Sequence, residues 1–238
     1  MKALLIKNIT REGPGLLENL LTSHSIAFDL IDLNQGEKIP PLFSYDAIFV
    51  FGGPDSANDQ TAKMSRELAC VKEVLDHQIP YLGICLGMQI LAKAAGGEVV
   101  SNDVKEIGWR DPDGNFFQIE LTDQGKDDPL FAGLSSPLKI FHLHGETVRP
   151  IADSTLLTIG KFCHVQAVRV GPSAYGLQGH FELTQDMFAT WLDQDPDLSK
   201  LSRQDLQKDY QQIKAEYELT GTTLFTNFLK AAKLINRV

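Results

Sequence analysis

The chain has 238 residues, of which 43% are hydrophobic, and its 31 acidic side chains outnumber its 22 basic ones to give a formal net charge of −9. This length suffices for a full hydrophobic core, and the composition excludes a disordered chain or a small disulfide-bonded scaffold. Because no cluster of lysine and arginine interrupts the acidic balance, we expect neither nucleic acid nor membrane as a partner. The sequence contains no signal-peptide core and no run of about 18 apolar residues, so we expect a cytoplasmic protein.

The first 95 residues or so alternate between strand-like and helix-like patterns. Apolar runs predict strands at 2–9, 27–33, 46–51 and 80–84, and helical spacing of apolar residues predicts helices at 16–21, 61–77 and 86–95. His24 and His77 stand at helix ends, where a capping role is expected. Such alternation is typical of a parallel sheet with crossover helices.

Beyond Gly97 the pattern changes to short strand-like runs, which predict an antiparallel or mixed extension of the same sheet. These runs are 99–100, 116–121, 138–143, 156–159, 163–170 and 174–178. From Thr184 onward only helices are predicted, with breaks at 195–197 and at Thr220-Gly221. The charged stretch 202–218 is predicted to be a helix with a solvated face, and a partner-docking surface is the alternative.

These patterns together predict an α/β fold with a mostly parallel or mixed central sheet flanked by helices. We expect a single domain over 1–238, with a core at about 1–183 and a helical C-terminal extension at about 184–238.

The three cysteines form an odd set without a C-x-x-C pair, so we expect neither a disulfide framework nor a metal site. Cys70 and Cys163 fall among apolar residues and are predicted to lie in the core. Cys85 differs, because it stands between a buried strand and a helix with a glycine two residues away on each side. A nucleophile elbow requires this arrangement, and the helix N-terminus would favour a thiolate. A buried small side chain beside two packing glycines is the alternative.

A cysteine nucleophile needs an acid or base and a group that orients it. His180 follows an apolar strand and has Glu182 two residues later, on the same side of an extended chain. A purely structural histidine–glutamate pair is the alternative. Gly53, in the Gly52-Gly53-Pro54 turn after another strand, should share the carboxyl edge of the sheet with Cys85. Its N–H and that of Leu86 could stabilise an oxyanion.

The order G-G-P, G-x-C-x-G-x-Q and H-x-E resembles the class I (triad) glutamine amidotransferases, in particular stand-alone proteins similar to the glutaminase domain of GMP synthase. The resemblance implies a flavodoxin-like fold, with Cys85 as nucleophile, His180 as acid and base, and Glu182 as its orienting partner. It also implies oxyanion-hole amides at Gly53 and Leu86. Substrate contacts are implied at Gly53, Gln89, Leu143 and His144, and no cofactor is expected.

Two positions depart from the family pattern, and one further segment matches it. Phe181 stands where the family usually has proline, and Glu146 stands where it usually has aspartate. Both changes leave the catalytic groups in place and leave the acceptor chemistry open. The segment 106–109, E-I-G-W, matches the stand-alone branch.

Three hypotheses follow for the function. The first is a glutaminase that converts L-glutamine to glutamate and ammonia through a Cys85 thioester. Since no ATP-pyrophosphatase loop or P-loop occurs, this implies a separate synthetase partner or a purely hydrolytic role. The second is a stand-alone γ-glutamyl peptide hydrolase with the same triad. The third is a catalytically idle regulatory or binding module, which the intact Cys85, His180 and Glu182 disfavour.

Overall fold

The computed structural model describes residues 1–236, which contain eleven strands and six α-helices, and nine of the strands form a central sheet with helices on both faces. The strands are β1 Lys2–Lys7, β2 Ala27–Asp32, β3 Ala47–Val50, β4 Tyr81–Ile84, β5 Val99–Gly108, β6 Gln118–Leu121, β7 Leu138–Lys139, β8 His142–Val148, β9 Ser154–Gly160, β10 Val165–Val170 and β11 Ala174–Leu177. The helices are α1 Leu16–Ser23, α2 Ala62–Asp76, α3 Leu86–Ala94, α4 Asp123–Asp127, α5 Gln185–Gln194 and α6 Arg203–Ala231. No helix within these residues is long and apolar enough to cross a membrane.

The central sheet is mixed, as the sequence predicts. Its nine strands lie in the order β2-β1-β3-β4-β11-β10-β9-β6-β7. The first five run parallel to one another, and the pairings from β11 to β7 are antiparallel. The parallel half therefore brings the carboxyl ends of β1, β3, β4 and β11 to one edge, where loops from distant parts of the sequence meet.

The inner strands of the parallel half are buried at nearly every residue because helices cover both faces of the sheet. In β1, Ala3 and Leu5 belong to one hydrophobic cluster, whereas Leu4 and Ile6 belong to the other. Residues of α1 and α6 complete the first cluster, and residues of α2 and α3 complete the second. Successive side chains of a strand point to opposite faces, so both sets become buried. Cys70 and Cys163 are also buried, as predicted.

Two histidines take the helix positions that the sequence predicts. His24 is the C-cap residue of α1, and His77 is the C-cap residue of α2. Thr61 caps the N-terminus of α2, where its side chain accepts a hydrogen bond from the Met64 N–H at 3.1 Å.

The predicted helix break at Thr220-Gly221 is wrong, because α6 continues through both residues to Ala231. An ideal β-carbon on Gly221 would lie 2.2 Å from the main-chain oxygen of Phe181. The glycine is therefore needed for close approach of the helix to the chain that carries His180 and Glu182, and it does not mark an end.

The second half of the chain differs from expectation in two places. The run 138–143, predicted as one strand, divides into β7 in the main sheet and β8, which pairs instead with β5 in a separate two-stranded sheet. The run 99–100 likewise begins β5 and does not extend the main sheet. This small sheet places residues 143–146 at the carboxyl edge of the large one, beside Cys85.

Candidate active site

Cys85 occupies the turn between β4 and α3 in a strained backbone conformation. Its φ is 52° and its ψ is −107°, in a region that residues other than glycine rarely adopt. As the N-cap residue of α3, Cys85 lies where the unpaired helical N–H groups and the helix dipole favour negative charge. The side chain lines a cavity of about 450 Å³.

The two glycines that flank Cys85 allow the backbone to pack closely around the turn. An ideal β-carbon on Gly83 would lie 2.4 Å from the carbonyl group of Gly87, and one on Gly87 would lie 2.2 Å from the carbonyl oxygen of Val50. No side chain fits at such distances from a main-chain atom. The G-x-C-x-G spacing thus has a direct steric cause, as the nucleophile-elbow interpretation requires.

His180 and Glu182 form a buried pair behind Cys85. The Nδ1 of His180 donates a hydrogen bond to Oε1 of Glu182 at 2.6 Å, and both residues are only 1% exposed. This hydrogen bond directs the other ring nitrogen, Nε2, away from the carboxylate. Main-chain pairing of His180 with Phe141, in which the His180 N–H donates at 2.8 Å, fixes the position of the segment.

The charges around His180 favour its protonated form. Burial alone lowers the pKa of His180, but the carboxylate of Glu182 and the thiol of Cys85 oppose this effect and raise the pKa well above 6.5. Cys85 therefore lies close enough to His180 to influence its protonation. The structure brings together the three side chains for which the sequence predicts a triad.

The loop after β3 approaches the same point through Gly52 as well as Gly53. An ideal β-carbon on Gly52 would lie 3.2 Å from Cε1 of His180 and 3.4 Å from the β-carbon of Cys85. On Gly53 it would lie 2.6 Å from the β-carbon of Asn8 and 3.5 Å from Cδ2 of Leu86. Gly53 and Leu86 are therefore neighbours, as a shared oxyanion hole requires. The contact of Gly52 with Cys85 and His180 was not predicted from the sequence.

The predicted substrate contacts lie around the cavity. The carbonyl oxygen of Leu143 is 3.9 Å from Sγ of Cys85, and the Nε2 of Gln89 donates to the carbonyl oxygen of Glu146 at 3.1 Å. The His144 ring is held between the Glu146 carbonyl oxygen and Glu106, so only its main chain is free to contact a substrate.

The predicted site residues divide into two groups. Those that line the cavity are Gly53, Cys85, Gln89, Leu143 and His144. His180, Glu182 and Leu86 are each only 1% exposed and lie behind this surface.

Glu12 is a further titratable group in this cavity that the sequence analysis missed. It follows β1 at the carboxyl edge of the sheet, is 4% exposed and lines the cavity together with Cys85. Burial raises the pKa of Glu12 to about 7, against the opposing charges of His180 and Arg11. Its position in the loop after the first parallel strand, at the edge where ligands bind in such sheets, is the sequence feature that could have identified it.

The C-terminal helices hold the segment that carries His180. The hydroxyl of Tyr217 on α6 donates to the carbonyl oxygen of His180 at 2.9 Å and accepts from the N–H of Leu183 at 3.2 Å. Trp191 on α5 packs edge-on against the His180 ring at 5.0 Å between centroids. Phe181, which replaces the usual proline of the pattern, is buried and stacks against Tyr217.

One group of side chains within residues 1–236 has the composition of a metal site. Glu106, His142 and His144 are buried and have donor atoms within 4.8 Å of one another. However, Nε2 of His144 and Oε2 of Glu106 are 2.8 Å apart, and Gln166 donates to the same oxygen at 2.9 Å. These are hydrogen-bond distances, so the group is accounted for as a buried hydrogen-bonded pair with a neighbouring histidine. The expectation of a protein without bound metal stays a prediction.

Comparison with known proteins connects this geometry to one family. Residues 16–193 match the family model for glutamine amidotransferase class-I. The glutamine amidotransferase-like protein YfeJ of Salmonella typhimurium is 33% identical over 155 residues, which are 63% of this chain and 62% of YfeJ. A glutamine-hydrolysing GMP synthase subunit from Methanothermobacter thermautotrophicus is 31% identical over 140 residues, 58% of this chain and 66% of that protein.

A third relative and a solved structure extend the comparison. The γ-glutamyl-L-1-hydroxyisopropylamide hydrolase of a Pseudomonas species is 28% identical over 147 residues, 60% of this chain and 49% of that protein. The chain therefore spans between about half and two thirds of these relatives. The crystal structure of a glutamine amidotransferase from Thermotoga maritima superposes with a TM-score of 0.86 at 25% identity and covers 98% of each chain.

Proposed function

The chain belongs to the glutamine amidotransferase class-I family, and from this membership we propose that it hydrolyses the side-chain amide of L-glutamine to glutamate and ammonia. In this proposal Cys85 is the nucleophile, His180 the acid and base, and Glu182 the group that orients His180. Gly53 and Leu86 supply the oxyanion-hole amides. Gln89, Leu143 and His144 hold the amino-acid end of the substrate, together with the main chain of Gly53.

The observation that carries the proposal is the position of Cys85. It lies in a strained turn at a helix N-terminus and lines a cavity, and the hydrogen-bonded pair of His180 and Glu182 lies directly behind it. A purely structural cysteine needs no φ of 52°, since a buried side chain can pack equally well from ordinary backbone. The strain supports a functional use of the thiol.

The first half of the proposed reaction forms a thioester. The Cys85 thiolate attacks the carbonyl carbon of the glutamine side chain, and the resulting oxyanion accepts hydrogen bonds from the N–H groups of Gly53 and Leu86. His180, whose pKa is raised well above 6.5, carries the proton that the departing nitrogen needs. The C–N bond then breaks, ammonia leaves with the electron pair of that bond, and the acyl group remains on Sγ.

The second half returns the enzyme to its starting state. His180 accepts a proton from water, the hydroxide attacks the thioester, and the Cys85 thiolate leaves as glutamate forms. Neither half requires a cofactor. We propose that the ammonia serves a separate synthetase partner, which the relationship to a GMP synthase subunit supports. We further propose that residues 1–238 act as one cytoplasmic amidotransferase domain, with a core at about 1–183 and a helical extension at about 184–238.

A second candidate function is the hydrolysis of γ-glutamyl amides of larger amines by the same triad. The cavity favours it, because beyond Cys85 the cavity extends to Ser101, Lys105 and Asp197 and offers space past the reacting amide. The Pseudomonas relative is named as a hydrolase of such an amide. The thioester chemistry is the same for both candidates, and only the departing nitrogen differs.

The test measures glutamate release from L-glutamine and from a panel of γ-glutamyl peptides by the wild-type protein and by Cys85→Ala. We expect activity in the wild type and none in Cys85→Ala. Cys70→Ala, in which a buried cysteine that does not line the cavity is changed, is the matched control and should retain activity. Faster turnover of the peptides than of glutamine would select the second candidate. Full activity in Cys85→Ala, or a wild type inactive on every substrate, would contradict both.

A further inference from the structure

Glu12 places a carboxyl group in the wall of the cavity that Cys85 lines. The residue is only 4% exposed, and it lines the cavity together with Cys85. Its neighbour Arg11 lies 3.9 Å from Oε1 of Glu12 and instead donates a hydrogen bond to Asp195 at 2.7 Å. A carboxyl group that lines the cavity is accessible to a bound substrate and can accept a hydrogen bond from it.

The carboxyl group points to the reacting end of the cavity. An ideal β-carbon on Gly52 would lie 2.2 Å from Oε2 of Glu12, 3.2 Å from Cε1 of His180 and 3.4 Å from the β-carbon of Cys85. One small volume beside Gly52 therefore adjoins all three side chains. Because residue 52 is a glycine, no side chain of its own occupies this volume between the Glu12 carboxyl group, the nucleophile and its histidine.

The loop that carries Glu12 is fixed to the same elements that position His180. The indole N–H of Trp191 donates to the carbonyl oxygen of Arg11 at 2.9 Å, and the Trp191 ring packs against His180. The Glu12 N–H donates to the carbonyl oxygen of Ile9 at 3.1 Å, which closes the turn. Trp191 therefore contacts both the loop that carries Glu12 and the ring of His180.

We propose that the Glu12 carboxylate accepts a hydrogen bond from the N–H of the scissile amide and holds the nitrogen as it leaves. This inference rests on the proposed function and extends it to the leaving group. When the tetrahedral intermediate collapses, His180 gives its proton to the nitrogen, the C–N bonding pair goes to the nitrogen, and Glu12 binds an N–H of the resulting ammonia or amine. The substrates favoured are γ-glutamyl amides whose nitrogen bears at least one hydrogen.

The charges that face Glu12 suit this role near neutral pH. His180 and Arg11 stabilise its charged form, whereas Glu182 and Asp195 oppose it, and burial raises its pKa to about 7. The ionised fraction of Glu12 therefore increases as the pH rises through about 7. This ionised form is the acceptor for the leaving nitrogen.

The experiment compares a substrate that has an N–H with one that has none. L-Glutamine is compared with the γ-methyl ester of L-glutamate, which forms the same thioester but releases methanol. For Glu12→Gln we expect kcat/KM on glutamine to fall about tenfold, since a neutral acceptor replaces a charged one. For Glu12→Leu, which has no acceptor, we expect a fall of about 100-fold. Ester hydrolysis should stay within about twofold of wild type in both variants.

Ester turnover also serves as the control for folding, and Glu18→Gln is the control for loss of a carboxylate on the neighbouring exposed surface of α1. Equal losses on glutamine and ester would assign Glu12 a structural role and overturn the inference. Unchanged glutamine turnover in Glu12→Leu would overturn it as well. In both cases an active wild type leaves the proposed function intact, whereas a wild type that hydrolyses neither substrate overturns the proposed function and this inference together.

Discussion

Replacing Glu12 by glutamine should stabilise the protein at alkaline pH and have a smaller effect at acidic pH. Burial raises the pKa of Glu12 from 4.5 to about 7. The folded protein therefore retains a proton that the unfolded chain releases between about pH 4.5 and 7. Stability must fall as the pH rises through this window, because the folded state is the one that binds more protons.

The magnitude follows from the size of the pKa change. Each pKa unit corresponds to about 1.4 kcal/mol, so the ionised Glu12 carboxyl group costs the folded state about 3 kcal/mol above pH 7. Glutamine has the same shape and no charge to bury. Burial also raises the pKa of Glu67 to about 7, but Glu67 is present in both proteins and its contribution cancels in the comparison.

Urea denaturation of the wild type and Glu12→Gln at pH 5 and pH 8 measures the effect. We expect the difference in free energy of unfolding between the two proteins to shift by about 2.5 kcal/mol in favour of Glu12→Gln from pH 5 to pH 8, because part of the change has already occurred at pH 5. Glu18→Gln, on the exposed face of α1, is the matched control and should show no such shift. A difference that is the same at both pH values would refute the reasoning.

Two other substitutions test how His180 is held. Glu182→Gln removes the carboxylate that raises the pKa of His180, so the pKa of His180 should fall. We expect kcat to decrease by about 10³- to 10⁴-fold. A pH–rate profile identical to that of the wild type would contradict this role of Glu182. Tyr217→Phe removes one donor and one acceptor from the segment around His180 and Leu183. It should lower the free energy of unfolding by about 1–3 kcal/mol in urea titrations, and an unchanged midpoint would show that these hydrogen bonds are replaced by others.

The parallel half of the fold could be predicted from the sequence because its signals are local. The continuous apolar run that ends at Phe51 and the glycines around Cys85 reflect contacts with the nearest strands and helix, and both predictions agree with the structure. The break predicted at Gly221 failed for a tertiary reason. Gly221 is required by the main chain of Phe181, which lies far away in sequence, and no local pattern records such a contact.

The candidate site likewise contains some residues that could be predicted from the sequence and others that could not. Cys85, His180 and Glu182 could be proposed because strand ends and short spacings identify them, and the structure places them together. Glu12 and Gly52 could not be proposed from the sequence, because they meet only where the loops after β1 and β3 come together in the folded chain. The support of His180 by Tyr217 likewise depends on how α6 folds back against the sheet.

Labelling with a diazoketone analogue of L-glutamine, followed by intact-mass and peptide mass spectrometry, is the most direct test of Cys85 as a glutamine-directed nucleophile. The account predicts a single adduct on Cys85, slowed by added L-glutamine and absent from Cys85→Ala. Cys70 and Cys163 should stay unmodified, because neither lines the cavity and burial raises the pKa of both thiols to about 12. Failure of the wild type to form an adduct at Cys85, or labelling at equal rates with and without glutamine, would contradict it.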